Sequence, residues 1–222
     1  MAGRRVHLRR WPDGACDHRP RRRAVGLTTG GALLTGGRSS RMGSDKARLV
    51  VDGERLVDRA ARTLGAVCDQ VVEVGPGHST LRAVREDPPG AGPSAALVAA
   101  ADALGTDRVL LLAVDMPRVS VPLLELLRDD PSAGSVVPEA RGRLQVACCR
   151  YSAEAIAFAR EECASRAETP DPHDTPGLHE VVRSAPYRVL GPEDWGPVAE
   201  ASSFSDLDTP SDLRRHGLGG RH

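Results

Sequence analysis

The sequence predicts one α/β domain with a mostly parallel sheet and helices packed on both of its faces. Short apolar runs bounded by Gly, Pro or Asp alternate with amphipathic patterns of helical length. Aromatic residues make up only 3% of the chain, so Val, Leu and Ala must build the core, as in buried parallel strands. Strands that alternate with helices imply right-handed crossovers, which produce a parallel sheet.

Four apolar runs are predicted to be core strands, and three helical patterns lie between or after them. The predicted strands lie in "GALLTGG" from residue 31, "VVEVG" from residue 71, "RVLLLAVDMP" from residue 108 and "GSVVP" from residue 134. The predicted helices are residues 54–67, a helix from Pro93 or Ser94 to Leu104, and a helix capped by Ser120 with Pro122 in its first turn. Ligands of such a sheet bind at the carboxyl ends of its strands, so functional residues are expected directly after the apolar runs.

Length and charge limit the organisation of the chain. Its 222 residues suit one ordinary domain, predicted over residues 25–217, between a disordered basic tail at 1–24 and a flexible end at 218–222. Thirty basic and thirty acidic side chains cancel, so no overall field favours nucleic acid or a membrane. The five cysteines lack zinc-ligand spacing, and no apolar run has the length of a membrane span. A reducing cytoplasm is the expected location.

The first candidate site is the glycine-rich loop in "GALLTGGRSSRMGSDK", residues 31–46. Gly36 and Gly37 allow the backbone to present N–H groups to an anion, and Arg38, Arg41 and Lys46 add positive charge. Lys46 is the only lysine in the chain. The Walker A spacing and the dinucleotide fingerprint are both absent. Taken alone, the loop is either a phosphate-binding loop or a surface turn with solvated arginines.

Three acidic stretches follow in order along the chain. Asp115 ends the apolar run of "RVLLLAVDMPRV", where it is either a Mg²⁺ ligand or a turn residue. Asp87 lies in a Pro/Gly loop before a predicted helix, where the loop either binds a ligand or only connects two elements. Asp206 and Asp208 alternate in "FSDLDTPSDL", where they either complete a metal site or cap the last helix.

Together these stretches resemble the molybdopterin nucleotidyltransferases, and among them the molybdenum cofactor guanylyltransferases. The family pattern Leu-Ala-Gly-Gly-x-Ser-x-Arg-Met-Gly-x-Asp-Lys matches residues 34–46, with Thr35 in place of alanine. The family's acidic Pro/Gly loop resembles residues 86–93, and its Asp-x-Pro matches Asp115 and the two residues after it. Its closing Asn-x-Asn-Thr-Pro-x-Asp-Leu element matches residues 206–213, with aspartates in place of both asparagines. The resemblance covers about residues 31–214.

The resemblance implies a fold, a set of site residues and a cofactor. The fold is Rossmann-like, of the nucleotide-diphospho-sugar transferase type, and the cofactor is Mg²⁺. The residue at position 74 is often asparagine in the family and is valine here. The implied contacts are GTP phosphates at Leu34, Thr35, Gly36, Gly37 and Lys46, guanine or ribose near Val74 and Asp87, and Mg²⁺ at Asp115 with Asp206 and Asp208 as further candidates. The implied catalytic residues are Lys46, Arg41 and Asp115.

The implied reaction transfers GMP from GTP to the terminal phosphate of molybdopterin and releases pyrophosphate. Implied partners are GTP, the molybdopterin acceptor and, transiently, proteins that deliver the cofactor or mature molybdoenzymes, but neither nucleic acid nor a membrane. The alternatives are a cytidylyltransferase acting on molybdopterin, another small-molecule nucleotidyltransferase of the same fold, and a non-catalytic module that binds a nucleotide or cofactor. The paired glycines and the ending Asp45-Lys46 favour guanine over cytosine. Acceptor specificity is expected within residues 139–200.

Overall fold

A central sheet of eight strands organises the protein, for which a computed structural model describes residues 28–36, 46–166 and 175–207. Two further strands form a small antiparallel hairpin, β2 with β3. The strands are β1 Thr29–Leu34, β2 Val50–Val51, β3 Glu54–Arg55, β4 Val71–Val74, β5 Arg82–Val84, β6 Arg108–Ala113, β7 Ser135–Ala140, β8 Arg143–Leu144, β9 Cys148–Tyr151 and β10 Tyr187–Leu190.

The order of strands in the sheet is β10-β7-β9-β6-β1-β4-β5, with β8 paired to β7. The four strands β6, β1, β4 and β5 are mutually parallel. Strand β9 runs antiparallel to both of its neighbours, β6 and β7, and β10 is parallel to β7. The sheet is therefore mostly parallel, with one reversed strand beside β6.

Helices cover both faces of this sheet. The helices are α1 Leu56–Gly65, α2 Pro93–Leu104, α3 Val121–Asp129, α4 Ala153–Arg166, α5 Leu178–Arg183 and α6 Pro192–Trp195. One buried cluster joins α1 and α3 to the sheet, and a second joins α2, α4 and α5 to the other face. Alternate residues of β6 enter the two clusters, as Leu110 and Leu111 show, because successive side chains of a strand point to opposite faces.

The predicted strands and the parallel α/β architecture are confirmed. Helix α2 begins at Pro93 and ends at Leu104, as predicted. Helix α1 begins at Leu56 and not at residue 54, because Glu54 and Arg55 pair with β2 in the hairpin. Ser120 precedes α3 as predicted, but its hydroxyl donates to the Val198 carbonyl at 3.4 Å and does not cap the helix.

Two composition-based expectations bear on this fold. None of the helices within the described ranges is long and apolar enough to cross a membrane. Cys68, Cys148, Cys149 and Cys163 are all free thiols. Burial raises the pKa of Cys68 to about 11 and that of Cys148 to about 12, so neither thiol is a nucleophile near neutral pH. The predicted tail at 1–24 and the end at 218–222 lie outside the described residues, and the division into domains stays a prediction.

Candidate active site

The carboxyl ends of four parallel strands coincide at one edge of the sheet. Leu34 at the end of β1 lies in register with Val74 at the end of β4 and with Ala113 at the end of β6. Val74 in turn lies beside Val84 at the end of β5. The segments that follow these strands carry Thr35, Asp115 and Asp87, so the topology brings together residues that are far apart in the sequence.

An ion pair between Lys46 and Asp115 marks the centre of this edge. Lys46 begins a short 3-10 helix, Lys46–Arg48, at the end of the glycine-rich loop. Its Nζ lies 3.5 Å from Oδ2 of Asp115, and the two side chains are 14% and 26% exposed. The structure thus joins the end of the loop to the carboxylate predicted to bind metal, and both side chains are partly exposed.

The segment around Asp206 closes over the same carboxylate-bearing turn. The amide of Leu207 donates to the Asp115 carbonyl at 3.0 Å. Leu207 is buried, and a preceding 3-10 helix, Ala201–Phe204, places Phe204 edge-on to Trp195 with ring centroids 5.2 Å apart. Asp206, which is exposed, therefore lies next to the backbone of Asp115.

The first residues of the glycine-rich loop are bonded to the neighbouring strand. The amides of Thr35 and Gly36 both donate to the Val74 carbonyl, at 3.1 and 3.3 Å. The sequence predicted that the Gly36 N–H would be unbonded and able to bind an anion. The structure differs, because this amide already donates to the Val74 carbonyl. The Val74 side chain is buried in the core, so β4 contributes backbone and not this side chain to the edge.

The acidic Pro/Gly loop lies beyond β5 and leads into α2. Asp87 is exposed in this loop. The loop holds itself together through two hydrogen bonds, from the Gly90 amide to the Glu86 carboxylate at 3.0 Å and from the Ala91 amide to the Pro88 carbonyl at 3.1 Å. The Thr175 hydroxyl donates to the Ala91 carbonyl. The loop is therefore anchored to the segment before α5.

Glu73, which the sequence analysis did not single out, is a fully buried carboxylate at the end of β4. Its Oε1 accepts hydrogen bonds from the Thr35 hydroxyl at 2.7 Å and from the amides of Gly77 and His78 at 3.0 and 2.7 Å. Its Oε2 accepts from the Ser79 amide and hydroxyl at 2.7 and 2.6 Å. Burial alone would raise the pKa of this carboxyl, but these donors outweigh burial and lower the pKa to about 2.

The stability of the protein should therefore depend on the ionisation of Glu73. The folded-state pKa of about 2 is below the ordinary value of 4.5, so this carboxylate stabilises the fold above that ordinary value, and the contribution is lost as the pH falls towards 2. We expect the free energy of unfolding at pH 7 to be higher for wild type than for Glu73→Gln. The gap between the two free energies should narrow below about pH 4.5. Urea unfolding at several pH values measures this gap, with Glu161→Gln on the exposed side of α4 as the control. A gap independent of pH would contradict the assignment.

A hairpin flanks the edge on the side of β6 away from β1. It is formed by β7 and β8, with Arg141 and Gly142 at the turn, both at positive φ. Nε1 of Trp195 donates to the Glu139 carbonyl at 3.1 Å, and Nε2 of Gln145 donates to the Arg143 carbonyl at 3.0 Å. Within the described part of the chain, the guanidinium groups of Arg141 and Arg143 have no acidic partner, so the hairpin presents positive charge.

The donor set at the edge fits a magnesium ion that arrives with a substrate. Among the described residues, no group of three or more His, Cys, Asp and Glu side chains is placed to hold a metal ion by itself. Mg²⁺ in nucleotide sites is usually held by one or two carboxylates, with phosphate oxygens and water as the other ligands. Asp115, with Asp206 beside it, meets that requirement.

Several predicted site residues cannot be placed by the structure. Gly37, Arg41 and Asp208 lie outside the described residues, so their roles stay predictions. The other predicted site residues all lie at or next to the carboxyl edge described above. They are Leu34, Thr35, Gly36, Lys46, Val74, Asp87, Asp115 and Asp206. Their contacts to a nucleotide are likewise predictions.

Two named relatives are similar to most of the chain. A protein of Chloroflexus aggregans named "Probable molybdenum cofactor guanylyltransferase" is 30% identical over 86% of this chain and 94% of its own length. A protein of Natronomonas pharaonis with the same name is 30% identical over 83% of this chain and 95% of its own length.

Solved structures confirm the predicted fold. Molybdopterin-guanine dinucleotide biosynthesis protein A from Archaeoglobus fulgidus superposes with a TM-score of 0.69 at 18% identity, covering 84% of this chain and 95% of that one. The 2-C-methyl-D-erythritol 4-phosphate cytidylyltransferase of Thermus thermophilus superposes with a TM-score of 0.55 at 18% identity, covering 83% of this chain and 95% of its own. At these identities the likeness shows the nucleotide-diphospho-sugar transferase fold.

The family comparison agrees with the fold, the motif order and the placement of the edge residues. The family described as MobA-like NTP transferase domain matches residues 31–184, which is most of the chain. Its members are enzymes that transfer a nucleotidyl group, and both named relatives carry such an activity in their names. The chain therefore belongs to the MobA-like NTP transferase family and is a nucleotidyltransferase.

Proposed function

We propose that this protein transfers GMP from GTP to the terminal phosphate of molybdopterin and releases pyrophosphate. The observation that carries the proposal is the contact of 3.5 Å between Lys46 and Asp115 at the carboxyl edge. It joins a cation suited to phosphate with a carboxylate suited to Mg²⁺, in a chain whose named relatives are guanylyltransferases.

The position of Asp115 in the strand order divides the edge into two parts. On one side of β6 lie strands β1, β4 and β5, which lead into the glycine-rich loop and the Asp87 loop. On the other side lie β9, β7 and β10. We assign the first side to GTP and the second to the acceptor. The arginines of the β7–β8 hairpin support this assignment, because the acceptor carries a phosphate that opposite charge would attract.

In the proposed reaction, an oxygen of the acceptor's terminal phosphate forms a bond to the α-phosphorus of GTP. The bond between the α-phosphorus and the bridging oxygen breaks, and pyrophosphate leaves with the electron pair. The nucleophile is already an anion, so no general base is required. Such transfers depend mainly on in-line positioning and on neutralisation of charge.

The residues of the chain supply these two requirements. Lys46 and Arg41 neutralise charge on the departing β and γ phosphates, and the loop from Leu34 positions them. Asp115, with Asp206 as a candidate second ligand, would hold Mg²⁺. When bound, Mg²⁺ neutralises phosphate charge and favours attack at the α-phosphorus. A cytoplasmic location and transient contact with delivery or maturation proteins belong to the same proposal.

The nucleotide preference distinguishes this proposal from its alternative within the fold. Cytidylyltransferases share the fold, and the late aspartates in place of asparagines are typical of them. Pyrophosphate release should be measured with GTP, CTP, ATP and UTP, with Mg²⁺ and with or without molybdopterin. We expect release only with the acceptor, and kcat/KM at least about a hundredfold higher for GTP than for CTP.

The outcomes of this experiment separate the hypotheses. Turnover with CTP but not GTP would contradict the guanylyl assignment and retain the enzyme class. Binding of a nucleotide without turnover under any of these conditions would instead favour the non-catalytic module.

A further inference from the structure

The Glu73 carboxylate connects two segments that border the proposed nucleotide site. Four of its five hydrogen bonds come from Gly77, His78 and Ser79 in the turn after β4. The fifth comes from the hydroxyl of Thr35, the first residue after β1. One buried group therefore links the turn at 75–79 to the start of the glycine-rich loop.

The turn alone does not explain the fifth hydrogen bond. Its four donors already satisfy both carboxylate oxygens, and a buried carboxylate is tolerated when it is hydrogen-bonded in this way. In the family pattern that residues 34–46 resemble, position 35 is alanine, which has no hydroxyl to donate. Thr35 thus departs from that pattern by a hydroxyl, and Glu73 accepts the hydrogen bond of this hydroxyl at the residue that begins the loop.

Backbone contacts bring the same two segments into close approach. The Val74 carbonyl accepts from the amides of Thr35 and Gly36. A Cβ atom added at Gly75 would lie 2.3 Å from Oγ1 of Thr35 and 2.8 Å from the amide nitrogen of Gly36. Contacts that short leave no room for a side chain at Gly75, so the turn is packed directly against Thr35 and Gly36.

We propose that Glu73 is a positioning residue for the nucleotide, and that it acts through the Thr35 hydroxyl. The carboxylate sets Thr35, at the start of the glycine-rich loop, against a turn whose amides it also binds, so this starting residue is held in place before GTP arrives. This inference rests on the proposed function, because it assumes that the loop binds the triphosphate. Ordering a loop in advance lowers the entropic cost of binding, so the effect should fall on KM for GTP.

The test compares kinetics with GTP for wild type, Thr35→Val, Thr35→Ser, Glu73→Gln and the double variant of Thr35→Val with Glu73→Gln. Thr35→Val retains the size of the side chain and removes only the hydroxyl. We expect it to raise KM for GTP about fivefold with kcat changed less than about twofold, whereas Thr35→Ser retains the wild-type KM. Glu73→Gln should raise KM about tenfold.

The double variant tests whether the two residues act through one another. We expect its KM to be close to that of Glu73→Gln and well below the product of the two single effects, because both substitutions remove the same link. Ser79→Ala is the matched control. It removes a hydrogen bond of 2.6 Å to the same carboxylate without touching Thr35, so it should lower the melting temperature but leave KM within about twofold.

The experiment distinguishes failure of the positioning role from failure of the proposed function. If wild type turns over GTP and Thr35→Val has an unchanged KM, or if the effects of the two residues multiply independently, the positioning role is overturned. If wild type releases no pyrophosphate from any nucleotide, the proposed function is overturned. Thr35→Val serves as the deciding variant if Glu73→Gln does not fold.

Discussion

Replacement of Asp115 by alanine should lower kcat for nucleotidyl transfer about a thousandfold, and Lys46→Ala should have an effect of similar size. Asp115 is the carboxylate at the end of β6 that we assign to Mg²⁺, and Lys46 is the cation that we assign to the leaving phosphates. Neither loss can be replaced by water, because the charge that develops during transfer needs opposite charge held in a fixed place. The measurement is pyrophosphate release from GTP under saturating acceptor.

Both variants should remain folded. Both side chains lie at the sheet edge and outside the two buried apolar clusters, so their removal should leave the packing of the core intact. Asp102→Asn is the matched control, because it removes an α2 aspartate from an exposed ion pair with Arg160 of α4, away from the edge. It should leave kcat unchanged. Normal activity of Asp115→Ala would refute the metal role.

Replacement of Arg150 by methionine should have the largest effect on stability. Arg150 is fully buried on β9, and its guanidinium donates to the carbonyls of Arg128, Asp130, Ser132 and Gly134 at distances of 2.5–3.1 Å. These carbonyls belong to the last turn of α3 and the connection to β7, and they would have no donor in the variant. We expect a loss of about 3 kcal/mol.

For a chain of this length, that loss corresponds to a fall in melting temperature of about 10 °C, which calorimetry can measure. Arg160→Met is the control. Arg160 is exposed and pairs with Asp102, which is also exposed, so its removal should cost no more than about 1 kcal/mol. Equal losses in the two variants would show that the buried carbonyls find other partners.

The sheet and its functional edge could be predicted because both follow from local patterns. The apolar runs that became β1, β4, β6 and β7 are short and end at Gly, Pro or Asp. The rule that carboxyl ends of parallel strands share one edge then brings Lys46 and Asp115 together across 69 positions of sequence. The resemblance to a family added the ligands expected at each residue, whereas the shared edge that carries Asp115 and the start of the loop follows from topology.

Buried charges could not be predicted in the same way. Glu73 and Arg150 interrupt apolar runs, and a charged residue in an alternating strand normally predicts a side chain facing solvent. Both are fully buried here, because loops fold back to supply their hydrogen-bonding partners. Strand β9 was missed for a related reason, since its four residues include the charged Arg150 and no tight turn joins it to β6, its antiparallel neighbour.

The hydrogen bond from the Leu207 amide to the Asp115 carbonyl has a consequence for the timing of assembly. Every strand of the sheet in the described residues precedes residue 191, so the sheet can pair without the segment at 201–207. A chain at that stage of folding would have its sheet complete but the turn of Asp115 still uncovered. The catalytic edge would therefore mature after the scaffold that carries it, as one of the last steps of folding.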